Sequence, residues 1–293
     1  MKPAAFEYHQ AQSVDEALQM LAALDDSKLL AGGQSLGPML NFRFIMPEHL
    51  IDLNRVAELQ GLSHQSDGSI RIGAMTRQYV LEKDAALNAK LPIFARTLRW
   101  VGHYATRNRG TIGGSLSHLD PAAELPGLCA LLDASLTVRR AGSTRNISIH
   151  DWAAGFMQSA LEDDELLCDV ILTPWPERHG QAFVEMSRRH GDFAIAGASC
   201  LMSLDNDRRI QRLAVSVIGI AHGPVRLRAA EQALAGHAFS DESGLLAAAH
   251  LDGVDAIGDA HYSGAFRLRI AKTMVRRAMQ MAYDDALRQE HTA

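Results

Sequence analysis

RNRGTIGGS, at residues 107–115, is one of two glycine-rich stretches in this chain, and the other is AGGQSL, at residues 31–36. Paired glycines let a backbone take positive φ and come within hydrogen-bonding distance of a bulky anion. Both stretches also carry hydroxyl or amide side chains. Two such segments suit a pyrophosphate that is held from two sides. The pattern therefore predicts a dinucleotide ligand.

Length and composition describe an ordinary globular protein. The 293 residues are long enough for two or three folding units, and 47% hydrophobic with 22% charged residues is typical of such proteins. The net charge of −5 lacks the basic excess that is typical of nucleic-acid-binding proteins. No apolar run approaches the roughly 20 residues of a membrane helix, and the N-terminal stretch has no secretory pattern. We therefore expect a cytoplasmic protein with no membrane span and no nucleic-acid partner.

The three cysteines, Cys129, Cys168 and Cys200, are too far apart for metal-ligand spacing. An iron–sulfur cluster normally takes four thiolates. We expect three reduced, buried thiols. If the protein handles electrons from iron–sulfur clusters, those clusters lie on a partner.

Local patterns predict the order of the elements. Ser13 to Glu16 is typical of a capping box at the start of a helix, a short strand precedes the first glycine stretch, and Thr76 is expected to cap a later helix. The double proline of Thr173-Pro174-Trp175-Pro176 marks a boundary. Strand-like runs follow it, and helical runs come last, ending at 266–286. Strands and helices in separate runs favour an α+β fold.

Three motifs together resemble the FAD-binding medium subunit of the molybdenum hydroxylases, a family that includes aerobic carbon monoxide dehydrogenase, the N-heterocycle dehydrogenases and the central domain of xanthine dehydrogenase. They are AGGQSLGPML (31–40), RNRGTIGGSLSHLDPAAELP (107–126) and SRRHGDFAIAG (187–197). The resemblance implies an α+β fold in two parts. A two-subdomain FAD-binding module of the PCMH type, similar to vanillyl-alcohol oxidase, would cover residues 1–176, with subdomains of about 1–55 and 56–176. A C-terminal domain of antiparallel strands plus helices would cover 177–287.

The same resemblance implies a set of cofactor-binding residues. The first stretch would offer backbone N–H groups and a hydroxyl to the phosphates, and the second would form the opposing wall. Glu124 would accept hydrogen bonds at the adenosine end. Asp120 belongs to the same motif, but it could equally cap a helix that Pro121 begins. The predicted residues of these groups are Ala31, Gly32, Gly33, Gln34, Ser35, Leu36, Thr111, Gly113, Gly114, Ser115, Asp120 and Glu124.

Three further positions complete the predicted site. Phe193 stands where relatives often have a tyrosine beside the flavin ring, although a place in the core at a domain junction is the alternative. Leu167, or its neighbour Leu166, and Glu185 match other cofactor-adjacent positions.

The resemblance also implies partners and a chemistry. FAD would be bound without covalent attachment, and it would carry the redox chemistry, because no catalytic triad or metal-ligand cluster is evident in the sequence. A large subunit with the molybdenum cofactor and a small subunit with [2Fe–2S] clusters would complete the complex, as a dimer of heterotrimers that passes electrons to an external acceptor. The alternatives are a self-sufficient FAD-dependent oxidase of the vanillyl-alcohol-oxidase type and a non-catalytic flavin-binding scaffold.

Overall fold

A small parallel sheet forms the N-terminal unit of the structure, a computed structural model that describes residues 1–173, 175 and 178–290. Its strand order is β1-β3-β2, with helix α1 packed on the central strand through Val14, Leu18 and Ile51. Ser13 caps α1 by accepting from Glu16 N at 3.1 Å. The elements are β1 (Glu7–Gln10), α1 (Val14–Ala23), β2 (Ser27–Leu30), α2 (Leu36–Asn41) and β3 (His49–Asp52).

A five-stranded antiparallel sheet, in the order β4-β5-β10-β6-β7, is the second unit. Six short helices lie between the second and third strands of this sheet in chain order, and they cover the apolar face of the sheet. The predicted cap at Thr76 is wrong: Arg77 is the N-cap of α3, because the Thr76 hydroxyl donates to Gly61 O at 3.0 Å. The elements are β4 (Leu62–His64), β5 (Ile70–Gly73), α3 (Gln78–Lys83), α4 (Ala85–Lys90), α5 (Ile93–Leu98), α6 (Tyr104–Arg109), α7 (Ile112–His118), α8 (Glu124–Leu131), β6 (Ser135–Arg140), β7 (Ser143–Ser148), a hairpin of β8 (Ala153–Gly155) and β9 (Gln158–Ser159), and β10 (Leu166–Leu172).

The C-terminal unit is an antiparallel sheet in the order β11-β12-β13-β14, followed by three helices. The long α11 packs on one face of this sheet, and Phe183 and Ile218 on the other face contact Ala122 of the second unit. This arrangement confirms the predicted α+β fold. The predicted boundary residues Pro174 and Pro176 lie outside the described residues. The elements are β11 (Gly180–Met186), β12 (Ala196–Leu204), β13 (Ile210–Ile218), β14 (Val225–Arg226), α9 (Arg228–Leu234), α10 (Asp241–Ala249) and α11 (Gly264–Glu290).

Arg226 joins the C-terminal unit to the end of α8. Its guanidinium donates to the Ala130 and Leu131 carbonyls at 2.9 and 3.1 Å, and it pairs with Glu231 at 2.5 Å. Those carbonyls lie in the last turn of α8, where they have no partner within the helix. The contact fixes the C-terminal unit against the end of α8.

The described helices include none with the length and apolar run needed to cross a membrane.

Gly180 permits the close packing of α11 on β11, which gives a test of the C-terminal unit. A Cβ at Gly180 would lie 1.8 Å from Ala282 O, whereas a Cβ at Gly253 would have no neighbour within 4 Å. We expect Gly180→Ala to lower the free energy of unfolding by about 1–3 kcal/mol, because α11 must move outward. Gly253→Ala is the matched control and should be neutral or slightly stabilising. Equal unfolding midpoints in denaturant would contradict this account of the packing.

Candidate cofactor site

A cleft of about 640 Å³ lies between the two glycine-rich segments and the C-terminal unit. This volume falls within the usual range for small-molecule and cofactor sites. Of the predicted residues, all but Glu185 line it: Ala31, Gly32, Gly33, Gln34, Ser35, Leu36, Thr111, Gly113, Gly114, Ser115, Asp120, Glu124, Leu167 with Leu166, and Phe193. The structure therefore brings together side chains that are up to about 160 positions apart in the chain.

The first glycine-rich segment presents a row of backbone donors to the cleft. Gly33 has a φ of 71°, which turns the chain out of β2 and into α2. Among the described residues, none accepts a hydrogen bond from the N–H groups of Gly32 through Leu36. The next N–H along the chain, that of Gly37, donates to Gly33 O at 2.9 Å. Successive unpartnered N–H groups at a positive-φ turn form an anion-binding concavity.

The second segment is a helix start, so the expectation of positive φ at its glycines is wrong. Thr111 is the N-cap of α7, and its hydroxyl accepts from Gly114 N at 3.0 Å. Gly113 N donates to Ala74 O at 2.8 Å, which leaves this helix start without free donors at those positions. A Cβ at Gly113 would lie 2.5 Å from Ala74 Cβ. These glycines serve close packing, and the hydroxyls of Ser115 and Ser117 remain to face the cleft.

A polar clamp that the sequence analysis missed joins the two segments. Asn54 donates from Nδ2 to Ala31 O at 3.0 Å, and the Arg77 guanidinium donates to both Asn54 Oδ1 and Arg109 O. Behind the clamp the backbones nearly touch: a Cβ at Gly32 would lie 2.3 Å from Arg109 O. One signal was available, because Asn54 follows a parallel strand at the carboxyl edge of its sheet, where ligand sites are found in α/β sheets.

Asp120 and Glu124 stand together at the start of α8. Asp120 Oδ1 accepts from Ala122 N at 2.8 Å, so Asp120 closes a turn and Pro121 begins no helix; the helix starts at Glu124 with Ala123 as its N-cap. Burial raises the pKa of Glu124 to about 7, and the neighbouring Asp120 charge acts in the same direction. The Glu124 carboxyl is therefore partly protonated near neutral pH and can donate as well as accept a hydrogen bond.

Glu185 lies on β11, next to the cleft but not on its lining. Its residue is 9% exposed, and neither carboxylate oxygen has a hydrogen-bond partner within the described part of the chain. Burial, followed by the charge of Glu124, raises the pKa of Glu185 to about 8. A buried carboxyl without a partner points to a ligand or water that completes it.

Phe193 projects from the 189–192 turn at the mouth of the cleft. It is 66% exposed, so the alternative place in the core of a domain junction is wrong. Gly191 sets the turn with a φ of 88° and packs so closely that a Cβ there would lie 2.8 Å from His103 Cε1. Leu166 and Leu167, both buried on β10, supply an apolar floor.

The raised pKa of Glu185 predicts how stability depends on pH. Its folded pKa of about 8 exceeds the unfolded value near 4.5, so the stability it contributes is full below pH 4.5 and is lost as the pH rises to 8. We expect apo-protein with Glu185→Gln to match the wild type near pH 4.5 and to exceed it by a few kcal/mol, on the order of 2–4, at pH 8.5. Urea unfolding at several pH values measures the difference. The exposed Glu48→Gln is the control, and a pH-independent difference at Glu185→Gln would contradict the prediction.

Two family models match the chain. Residues 4–175 match the model described as the FAD binding domain in molybdopterin dehydrogenase, and residues 181–282 match the CO dehydrogenase flavoprotein C-terminal domain. The first model alone covers more than half of the chain.

Individual proteins give the same result. The chain is 40% identical over 285 residues to the alpha subunit of the 6-hydroxypseudooxynicotine dehydrogenase complex of Paenarthrobacter nicotinovorans, covering 96% of each chain. It is 34% identical to the beta subunit of caffeine dehydrogenase from a Pseudomonas species, covering 97% of each. The structure of carbon monoxide dehydrogenase from Hydrogenophaga pseudoflava superposes with a TM-score of 0.93 at 33% identity, over 97% of this chain and 99% of that one. This chain therefore belongs to the FAD-binding medium subunits of the molybdenum hydroxylases.

Proposed function

We propose that this chain is the electron-transfer subunit of a heteromeric molybdenum hydroxylase. The observation that carries the proposal is the row of unpartnered N–H groups from Gly32 to Leu36, facing a cleft of cofactor size. When bound, FAD supplies reversible electron transfer between iron–sulfur clusters of a partner and an external acceptor. The chain itself supplies binding, orientation and a polar environment.

The residues present fit FAD at both ends of the cleft. The N–H groups of the first segment suit the pyrophosphate, and the Asn54–Arg77 clamp keeps them fixed. Glu124 and Glu185 suit the hydroxyl and amine groups of the cofactor, because a partly protonated carboxyl can both donate and accept a hydrogen bond. Phe193 offers an apolar contact at the mouth, where it controls how much of a bound ring meets solvent.

The partners follow from what the relatives share and what differs among them. Their names specify different substrates, hydroxypseudooxynicotine, caffeine and carbon monoxide, yet their medium chains are similar to this one along almost its whole length. This supports a substrate pocket on another chain. We assign the molybdenum cofactor to a large partner and [2Fe–2S] clusters to a small one, in a cytoplasmic dimer of heterotrimers.

The same proposal divides the chain near residue 176. The FAD-binding module would cover 1–176 and the C-terminal domain 177–287. Each has a main apolar core, and Leu201 and Ala214 of the C-terminal sheet pack into the core of the module. The C-terminal domain would complete the cofactor site rather than hold a substrate, because it contributes Gly191, Asp192 and Phe193 to the lining of the cleft and places Glu185 behind that lining.

Two glycine-to-valine variants test the role of the N–H groups of the first segment. A valine at Gly33 would be strained by its φ of 71°, so relief of the strain would disturb the turn that carries the free N–H groups. We expect Gly33→Val to lose FAD, with at least about a tenfold rise in the dissociation constant for roughly 1.4 kcal/mol of strain. Gly37→Val is the control, since a Cβ there has no neighbour within 4 Å. Flavin content after acid precipitation measures both, and stoichiometric FAD in Gly33→Val would place the site elsewhere.

The electron route is tested by reconstitution. The flavin absorbance of the purified chain should stay constant when substrate is added alone, and it should bleach when both the cluster-bearing and the molybdenum-bearing partners are present. Bleaching by substrate with this chain alone would favour a self-sufficient oxidase. Absence of bleaching in the full complex would favour a scaffold.

A further inference from the structure

Glu7, His9 and His49 meet on the N-terminal sheet, outside the cofactor cleft. The parallel register of β1 and β3 sets Glu7 opposite His49, and side-chain alternation puts His9 on the same face of β1 as Glu7. His9 Nε2 is 3.1 Å from His49 Nδ1, and Glu7 Oε2 is 3.9 Å from the former and 3.7 Å from the latter. In the part of the chain that the structure describes, no other group of three such side chains converges in this way.

The three atoms are spaced as the ligands of a metal ion are. A circle through three points with these separations has a radius of about 2.1 Å, which is the length of a zinc–nitrogen or zinc–oxygen bond. A point at this distance from all three atoms lies in their plane, so tetrahedral zinc, whose ligand atoms are about 3.4 Å apart, also requires the exposed Glu7 carboxylate to move closer to the two imidazoles. Two imidazoles and one carboxylate are a known zinc ligand set, and three protein ligands leave a position for water. We propose that Glu7, His9 and His49 bind a divalent ion of the zinc type.

The surroundings suit an exchangeable ion. The side chains of His9 and His49 are 25% and 19% exposed, whereas that of Glu7 is 75% exposed, so the imidazoles are held by the fold and the carboxylate closes the site from solvent. Two facing neutral imidazoles share a single hydrogen at best, while a metal ion uses a lone pair from each.

The position of the site indicates a structural role. Glu7 and His49 are the first residues of β1 and β3, and the glycine-rich segment leaves the opposite end of the parallel sheet, about 10 Å further along the strands. Zinc has no redox chemistry of its own. The ion would link β1 to β3, the central strand of the sheet that leads into the first glycine-rich segment. It would take no part in electron transfer.

Metal titration of the untagged, FAD-loaded full chain tests the proposal. After treatment with a chelator, the protein is dialysed against micromolar Zn²⁺ or Co²⁺ at pH 7.5. We expect one equivalent of metal, visible d–d bands with Co²⁺, and a higher melting temperature with Zn²⁺. His9→Gln and His49→Gln should bind about tenfold or more weakly. Glu48→Gln and His64→Gln, which change exposed residues of the same two types outside the cluster, should bind like the wild type.

A direct localisation keeps the test independent of how the variants fold. Anomalous scattering from a zinc-soaked crystal should place a peak between the three side chains. A wild type that takes up no more metal than the His9→Gln/His49→Gln double variant, or a peak elsewhere with none at this site, would overturn the proposal. The pair would then be a simple imidazole–imidazole hydrogen bond.

Discussion

The approach of the two glycine-rich segments is the constraint on which the cofactor cleft depends. Gly32 lies against the Arg109 carbonyl so closely that no Cβ fits between them. Asn54 and Arg77 fix the spacing with hydrogen bonds to Ala31 and Arg109. A guanidinium in this position offers donors in a fixed fork, so it can hold two carbonyl or amide acceptors at one separation. The residues that carry the free N–H groups of the first segment line the cleft next to this contact.

The two segments contribute in different ways. In the first, the positive φ at Gly33 leaves donors unpartnered, which is costly unless a ligand or water accepts from them. In the second, the Thr111 cap and the Ala74 carbonyl already satisfy the helix start. The unpartnered N–H donors therefore lie in the first segment, and the second supplies a close-packed wall with serine hydroxyls.

The C-terminal domain completes the site electrostatically. Strand alternation on β11 turns Val184 toward α11, and it turns Phe183 and Glu185 toward the FAD-binding module. Burial raises the pKa of both Glu185 and Glu124, and the charge of Glu124 adds to the rise at Glu185. The two buried carboxyls come from different units, Glu124 from the second unit and Glu185 from the C-terminal domain, which Arg226 joins through its hydrogen bonds to the end of α8. Burying charge is unfavourable without partners, so the arrangement is one that a polar ligand would relieve.

Local patterns in the sequence were enough to predict most of the elements and the family. The strand-like runs after the double proline predicted β11 to β13, the Ser13–Glu16 pattern predicted α1, and the three motifs identified the class of flavoprotein, because strand runs, caps and glycine turns are properties of neighbouring residues. The contacts between distant segments appeared only in the folded structure. They leave the N–H groups of the first segment free, and they place Arg77 against Asn54. They also bury Glu185 beside Glu124 and bring His9 to His49, which is 40 positions away in the chain. The physical reason is that hydrogen-bond satisfaction, burial and electrostatic coupling depend on which distant segments pack together, and local sequence patterns do not specify that pairing.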